Sequence, residues 1–463
     1  MPDLLSIYHR LPYPLRDLAA SLRGCYLGYW RYTAKTESLI SEYLSMENWS
    51  DVKRQAWVEE KIAFVLHRAA TQTPYYREQW DRRRRQGDKA SWQYLENWPT
   101  LSKETLRAAP KQFIADDCDI HKMYHEHTSG TTGKSLDLWW SRETVRNWYA
   151  LFEARCRRWH GVSRHDRWAI LGGQLVTPVY QRQPPFWVWN AGLNQLYMSS
   201  YHLAPNFIPA YLGALQKYKI AYLWGYTSSL YALAVQVLRQ NCKDLQMQVV
   251  LTNAEPLESY QRTAIEEAFK CPVRETYGMA EIVASASECE YGKMHLWPEV
   301  GHVEVMRENS PVPLGETGEL ICTGIFNVDM PLIRYRVGDE GSLNAVSGCA
   351  CGRSLPLLGK IHGRVDDVLY TADGRRIGRL DPVFKAHLPV IEAQIIQEEP
   401  DKLTVRFVPA PEYRPNDGQS IIERLQARVG NVQVKLEPVD EIPREANGKF
   451  RAVVSKIAPP NAK

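Results

Sequence analysis

Seven consecutive residues, Thr128, Ser129, Gly130, Thr131, Thr132, Gly133 and Lys134, combine hydroxyls, glycines and a lysine in a way that suits an anion. Glycines at 130 and 133 let backbone N–H groups turn toward one point, and the hydroxyls of Thr128, Thr131 and Thr132 with the Lys134 ammonium add donors around it. The direct reading is a phosphate site. A Walker A loop needs glycine at position 128, where this chain has threonine, so a P-loop nucleotide hydrolase is disfavoured. Taken alone, such a turn is more often an ordinary loop, and other motifs must decide. A second set, Cys289 with His295 and Cys349 with Cys351, offers three thiols and an imidazole, a donor set that tetrahedral zinc accepts. The spacing within each pair is unusual, so buried free cysteines stand as the alternative. Cys25, Cys118, Cys156, Cys242, Cys271 and Cys322 show no pairing and are expected to pack as small hydrophobic side chains.

Loops with such residues need elements to hold them. Residues 222–224 form an apolar triplet, Ser228 is a candidate helix N-cap, and an apolar-periodic run continues to Leu238. A strand at 249–251, a helix over 257–269 and a strand at 273–276 follow, giving βαβαβ. This alternation predicts a parallel sheet covered by helices, with ligands at the carboxyl ends of the strands. The loops there are TNAEP at 252–256 and YGMAE at 277–281. Beyond Asp366 the texture changes to short β-branched runs at 393–397, 403–408 and 432–436 around an amphipathic helix near 421–429, which reads as a small α+β domain. In it, Asn447 and Gly448 suit a tight turn presenting Lys449 at its tip.

With 463 residues, the chain exceeds the ~250–300 residues that one core usually serves, so a large domain and a smaller one are expected. The net charge of +4 is too small at this length to call for a nucleic-acid or membrane partner on electrostatics alone. The arginines at 82–85 read as a solvated helix face, since no aromatic platform accompanies them. No apolar run approaches the ~20 residues that cross a bilayer, and the prolines at 12 and 14 interrupt the place of a signal-peptide core. Nine cysteines without a dense even framework suit a reducing cytoplasm. The segment 15–32 mixes apolar, aromatic and arginine residues at helical spacing; packing on the large domain is favoured over peripheral contact with a membrane surface.

SGTTGK at 129–134, AEP at 254–256, YGMAE at 277–281, RYRVGD at 334–339, GRVDDVL at 363–369 and NGKFR at 447–451 resemble, in order and spacing, the adenylate-forming (acyl/aryl-CoA ligase) superfamily. With TPYYR at 73–77, LSKE at 101–104 and CACGR at 349–353, the chain is most similar to the phenylacetate-CoA ligase branch and its CapK-like relatives, which accompany surface-polysaccharide synthesis. The likeness covers nearly the whole sequence. It implies an α/β fold: an N-terminal domain, 1–365, with parallel sheets covered by helices that bind ATP and an acid, and a mobile α+β domain, 366–463, carrying a catalytic lysine. It gives the turn at 128–134 to the β- and γ-phosphates, counts Thr128 with Glu281 and Lys449 as catalytic, and makes Glu281 the Mg²⁺ carboxylate. Tyr277, between Thr276 and Gly278, would stack on adenine, with Ala254, Glu255 and Pro256 as the opposite wall. Asp339 would accept from the ribose hydroxyls, Arg364 would contact ribose or phosphate, Lys449 would bridge carboxylate and α-phosphate, and Asp366 would be the hinge. Some relatives of this kind carry a structural metal at places matching the cysteine and histidine set.

The acid pocket is expected around Gly173, Gln174, Tyr226 and Ala254, and the acid itself is not specified. The implied reaction joins a carboxylic acid to AMP with release of pyrophosphate, then passes the acyl group to CoA. An amine or sugar amine is the alternative acceptor. A catalytically idle assembly partner is a further reading, against which the presence of Lys449, Glu281 and Asp339 argues; a kinase-like phosphoryl transferase would release ADP instead of AMP.

Overall fold

The computed structural model of the chain describes residues 4–127, 136–178, 180–203, 206–242, 245–255, 257, 259–344, 348–361, 369–371, 376–377, 380, 383, 388–440, 442 and 453–457. The expected phosphate turn at 128–134, Pro256, Arg364, Asp366 and Lys449 lie outside the described residues.

Helices α1 (Leu4–Arg10), α2 (Tyr13–Arg31), α3 (Thr36–Met46), α4 (Asp51–Gln72) and α5 (Pro74–Arg85) come first, and α6 (Lys103–Ala108) precedes a short antiparallel hairpin, β1 (Tyr124–His127) and β2 (Asp137–Trp140). Ser50 caps α4 and Ser102 caps α6, each side chain accepting a backbone N–H of the first turn. The inner face of α2 lies so close to Asn190 that a Cβ at Gly24 would stand 1.8 Å from its Oδ1. Its outer face leaves Leu15, Leu18, Leu22, Tyr26 and Tyr29 exposed. The segment therefore packs as expected through one face and keeps an apolar stripe on the other. Arg82, Arg84 and Arg85 are exposed on the last turn of α5, while Arg83 covers Trp80 and pairs with Asp88.

After α7 (Arg142–Phe152) come β3 (Trp168–Gly172), β4 (Trp187–Asn190), β5 (Gln195–Ser199), α8 (Ile208–Lys217), β6 (Tyr222–Tyr226), α9 (Thr227–Arg239), β7 (Val249–Asn253), α10 (Ser259–Phe269), β8 (Val273–Gly278), β9 (Ser285–Glu288) and β10 (Met294–Leu296). Neighbours in the order β5, β3, β6, β7, β8 run parallel, and β4 on one edge and β9 and β10 on the other are antiparallel. The strands alternate sides. Ala169, Leu171, Leu223, Val250 and Val273 pack on α8, α9 and α10 through Leu212, Leu233 and Phe269. Trp168, Tyr222, Trp224, Val249 and Leu251 join Trp30, Val145 and Leu151 on the opposite side. Cover on both faces is why these strands read as unbroken apolar runs. The expected βαβαβ unit is present; α9 begins at Thr227 with Tyr226 at its cap, so Ser228 falls in the first turn and not at the N-cap.

A second sheet of β11 (Gly301–Arg307), β12 (Ser310–Pro311), β13 (Gly318–Gly324) and β14 (Tyr335–Gly341) follows, and β15 (Leu357–Leu358) closes the large sheet beside β10. The C-terminal part holds β16 (Leu369–Tyr370), β17 (Arg376–Ile377), β18 (Val390–Glu399), β19 (Lys402–Pro409), α11 (Pro415–Val429), β20 (Gln433–Pro438) and β21 (Val453–Ser455). Ile395, Leu403, Val405 and Phe407 pack on Ile421, Leu425 and Val429 in a cluster that also includes Tyr201. The fold is the expected α/β arrangement with a small α+β unit. Of the remaining cysteines, Cys156, Cys271 and Cys322 are buried in apolar clusters and Cys118 and Cys242 are half-buried and pack against them, so the expectation of packed thiols holds for five and is corrected for Cys25, which is exposed. Among the described residues no helix is long and apolar enough to cross a membrane.

Candidate nucleotide and acid site

Parallel pairing puts the strand ends in register: Gly172 lies beside Ser199 and Tyr226 beside Asn253. The residues that follow, Gly173, Gln174, Ser200, Tyr201, Thr227, Ala254 and Glu255, therefore share one edge of the sheet. The Tyr201 hydroxyl donates to the Gly173 carbonyl at 2.8 Å, and the Gln174 N–H donates to the Tyr197 hydroxyl at 3.3 Å. A Cβ on Gly173 would stand 3.2 Å from the Tyr201 oxygen and 3.4 Å from the Tyr226 ring, so a hydrogen is the side chain this crossing accommodates. Burial pushes the Tyr197 phenol well above its usual range, with the neighbouring Tyr226 adding to the shift. Ala254 has φ +67, a left-handed conformation that is uncommon outside glycine. The Thr227 hydroxyl holds that turn by donating to the Glu255 carbonyl at 3.0 Å.

At the next strand end, Thr276 Oγ1 donates to the Thr252 carbonyl at 2.8 Å, tying the loops after β7 and β8 together. The Tyr277 hydroxyl donates to Asp339 Oδ2 at 3.0 Å. Burial raises the Tyr277 phenol far above its usual range and the negative charge of Asp339 raises it further, so it stays a donor. Gly278 ends β8, where a Cβ would approach Ser285 Oγ to 3.2 Å. Glu281 is 8% exposed, and its Oε1 accepts from the Tyr335 hydroxyl at 2.9 Å and faces Lys103 Nζ at 3.5 Å. Lys103 reaches it because Leu101 bridges to Tyr335 ahead of α6.

Ala254, Glu255, Thr276, Tyr277, Gly278, Glu281 and Asp339 thus form one group, and Gly173, Gln174 and Tyr226 lie further along the same edge. Lys103 and Tyr335 belong to the group and were not singled out from sequence. The signal was present for Lys103, since LSKE carries a Ser102 cap that marks a helix start, but its carboxylate partner is 178 positions away.

The cysteine and histidine set also comes together. Cys289 follows β9 at a tight turn, His295 lies on β10, and Cys349 and Cys351 sit on a turn whose Gly352 N–H donates to the Cys349 carbonyl at 3.0 Å. Their donor atoms lie within 4.8 Å of one another, with Cys289 Sγ 3.6 Å from Cys349 Sγ and Cys351 Sγ 3.4 Å from His295 Nε2. Tetrahedral zinc with bonds of about 2.0–2.3 Å has donor–donor edges of roughly this length. His295 Nδ1 is 3.3 Å from the Leu355 carbonyl, so Nδ1 carries the proton and Nε2 offers its lone pair. Burial pushes the Cys289 thiol up to about 12. At Cys349 burial also raises the pKa, but the N–H of Cys351 and hydrogen bonds from the Cys351 and Cys289 thiols outweigh it and leave the thiol below its usual value. The residues present fit a zinc ion.

Residues 369–456 match the family described as the CapK C-terminal domain. The chain is 25% identical over 460 residues to Protein CapK of Staphylococcus aureus, covering 97% of this chain and 99% of that one. It is 25% identical over 333 residues to the phenylacetate-coenzyme A ligase of Escherichia coli (strain K12), covering 68% and 72%. A solved 2-hydroxyisobutyryl-CoA ligase, in complex with 2-HIB-AMP and CoA, matches in fold with a TM-score of 0.57 at 20% identity, over 89% of this chain and 91% of that one.

Proposed function

From a chain similar to CapK over 97% of its length and to a phenylacetate-CoA ligase over 68% of it, we propose an ATP-dependent ligase that activates a carboxylic acid in two steps. The carboxylate attacks the α-phosphate of ATP, forming a mixed anhydride with AMP and breaking the bond to pyrophosphate. CoA thiol then attacks the acyl carbon, giving a thioester, AMP and a proton. The observation that supports the reading is the hydrogen bond from Tyr277 to Asp339 beside the turn at Ala254 and Glu255: a ring and a carboxylate at strand ends are the groups a nucleoside needs.

In this reading the base lies between Tyr277 and the turn of Ala254, Glu255 and Pro256, with Thr276 and Gly278 shaping the strand end. A carboxylate has acceptor capacity beyond one phenol, so Asp339 also takes the ribose hydroxyls. The hydroxyls and glycines at 128–134 wrap the phosphates. Glu281, a hard oxygen donor whose Oε1 is engaged by Lys103 and Tyr335, would hold Mg²⁺; when bound, the ion neutralises phosphate charge. Arg364 contacts ribose or phosphate, and Lys449 stabilises charge at the α-phosphate. The acid lies along Gly173, Gln174, Tyr226 and Ala254. We place the boundary at 365/366, with rotation about Asp366 exchanging the two half-reactions. The cluster of Cys289, His295, Cys349 and Cys351 is assigned to a structural zinc that joins two turns.

A second reading of the acceptor, an amine or sugar amine, stands beside CoA because the match that spans the chain is to CapK, whose name specifies no acceptor. The test is a screen of aryl, fatty, amino and uronic acids for acid-dependent pyrophosphate release, with and without CoA. Release of pyrophosphate and AMP, lost in Lys449→Ala, is expected. ADP as product, or release unchanged in that variant, overturns the proposal.

A further inference from the structure

His125, His127 and Asp137 form a cluster that the ligase reading does not use. On β1, His125 and His127 are two residues apart and so point to the same face. In the hairpin register Asp137 is directly opposite His127, and Trp139 is opposite His125. Cross-strand partners share a face, so one carboxylate from β2 meets two imidazoles from β1. The geometry agrees: His125 Nε2 is 3.0 Å and His127 Nδ1 is 2.8 Å from the same Asp137 Oδ1. The His125 ring stacks on Trp139 with centroids 4.7 Å apart and 6° between planes, which fixes its direction. The three donor atoms lie within 4.8 Å of one another.

We propose that His125, His127 and Asp137 bind a divalent ion of the zinc, nickel or copper class. Two imidazoles and a carboxylate favour these borderline ions over Mg²⁺ or Ca²⁺, which prefer oxygen throughout. With nitrogen and oxygen ligands at about 2.0–2.1 Å, a tetrahedral ion needs its donors about 3.3 Å apart. Each of the two separations is within about half an ångström of that, so small side-chain rotations admit the ion. Three protein ligands leave a fourth position. Asp137, His125 and Trp139 line an open cavity of about 690 Å³ with Lys111 and His121, so the fourth position is reachable from solvent by water or by a small anionic ligand.

The place in the chain gives the ion a consequence. His127 and Asp137 are the last paired positions of the hairpin among the described residues, and the residue after His127 is Thr128, the first of the expected phosphate turn. An ion held by both strands clasps the stem from which that turn departs. This consequence, though not the site itself, rests on the ligase reading.

The full-length chain, stripped with a chelator and dialysed against Zn²⁺, is expected to hold two ions, one at each cluster. His125→Asn with His127→Asn should remove one, and Cys349→Ser with Cys351→Ser should remove the other. Asp137→Asn should weaken zinc binding by at least the ~10–100-fold that loss of a group supporting a ligand costs. Co²⁺ separates the sites without relying on the cysteine variant to fold: the cysteine cluster gives a thiolate charge-transfer band, and the histidine site gives only weak d–d absorption that disappears in the histidine variant. The same ion count in the histidine variant as in the parent chain, with unchanged d–d absorption, overturns the proposal. Pyrophosphate release measured alongside reads the ligase assignment separately, since the ion count does not depend on ATP.

Discussion

Tyr277 and Asp339, 62 positions apart, are joined by a hydrogen bond of 3.0 Å that links the end of β8 to β14. The phenol is buried and protonated, so it orients the carboxylate without competing for its charge. Asp339→Ala removes the acceptor of the expected ribose contact. Hydrogen bonds to a charged group contribute about 1.5–3 kcal/mol each, so the KM for ATP should rise by at least about tenfold. Tyr277→Phe keeps the ring and should cost less. Equal KM values in the parent and Asp339→Ala enzymes would separate this pair from nucleotide binding.

Lys103 and Tyr335 both engage Glu281 Oε1. In Lys103→Met the carboxylate loses its neutralising partner and is held by Tyr335 alone. The Mg²⁺ dependence of pyrophosphate release should shift to lower concentration in that variant, and Glu281→Gln should shift it upward. Titrations of activity against Mg²⁺ that coincide for all three proteins would remove Glu281 from the metal site.

What could be read from sequence follows from where the information lies. The βαβαβ run was legible because parallel strands covered on both faces are continuous apolar stretches, and the helices between them carry one apolar stripe. The start of α9 was displaced because Ser228 is a good cap by type, while the chain enters the helix directly from Tyr226. The cysteine and histidine set was legible by donor type; what unites its halves is the pairing of β10 with β15, which sets His295 beside Leu357 and brings the turn at Cys349 and Cys351 within reach. Lys103 with Glu281, and the histidines with Asp137, escaped for the same reason: each contact depends on a register or bridge between strands, which a single sequence does not state.

Gly173 tests the proposed acid pocket. With Tyr201 and Tyr226 so close to its Cα, Gly173→Val places methyl groups against both rings. The KM for the acid should rise while that for ATP stays within about twofold, because the nucleotide groups lie at other strand ends. A matched rise in both would point to a displaced sheet edge.

Arg155 is fully buried and bonds Glu299 through two contacts of 2.7 Å, with Glu47 at 3.3 Å from its Nε. Glu47 also accepts from Trp159 and pairs with Arg353, next to the cysteine turn. Glu299→Gln leaves a buried guanidinium short of charge, and breaking such a pair costs about 3–5 kcal/mol. Denaturant midpoints should fall accordingly. A change below about 1 kcal/mol would mean that Glu47 alone balances the arginine.

Helices α1 and α2 hold the segment that follows Gly173 and Gln174. The Tyr8 hydroxyl donates to the Val176 carbonyl at 3.1 Å, His9 Nε2 is 2.7 Å from the Leu175 carbonyl, and Arg16 reaches Thr177. Burial pushes the Tyr8 phenol up to about 12, with Arg16 lowering it and Asp17 raising it by smaller amounts. An unfolded tyrosine ionises near ~10. Between those values the unfolded chain has lost the proton and the folded chain has not, so stability from this group is complete below the unfolded pKa and declines as pH rises through the folded one. Near neutral pH, Tyr8→Phe should therefore lower stability by about 1 kcal/mol, the worth of one hydrogen bond. The gap should narrow once pH exceeds ~10 and, at about 1.4 kcal/mol per pH unit, reverse before the folded phenol ionises, since phenylalanine has no proton to lose. The other buried tyrosines titrate alike in both proteins and cancel in the difference of urea midpoints. A difference that stays constant across that alkaline range would show that Tyr8 does not anchor α1.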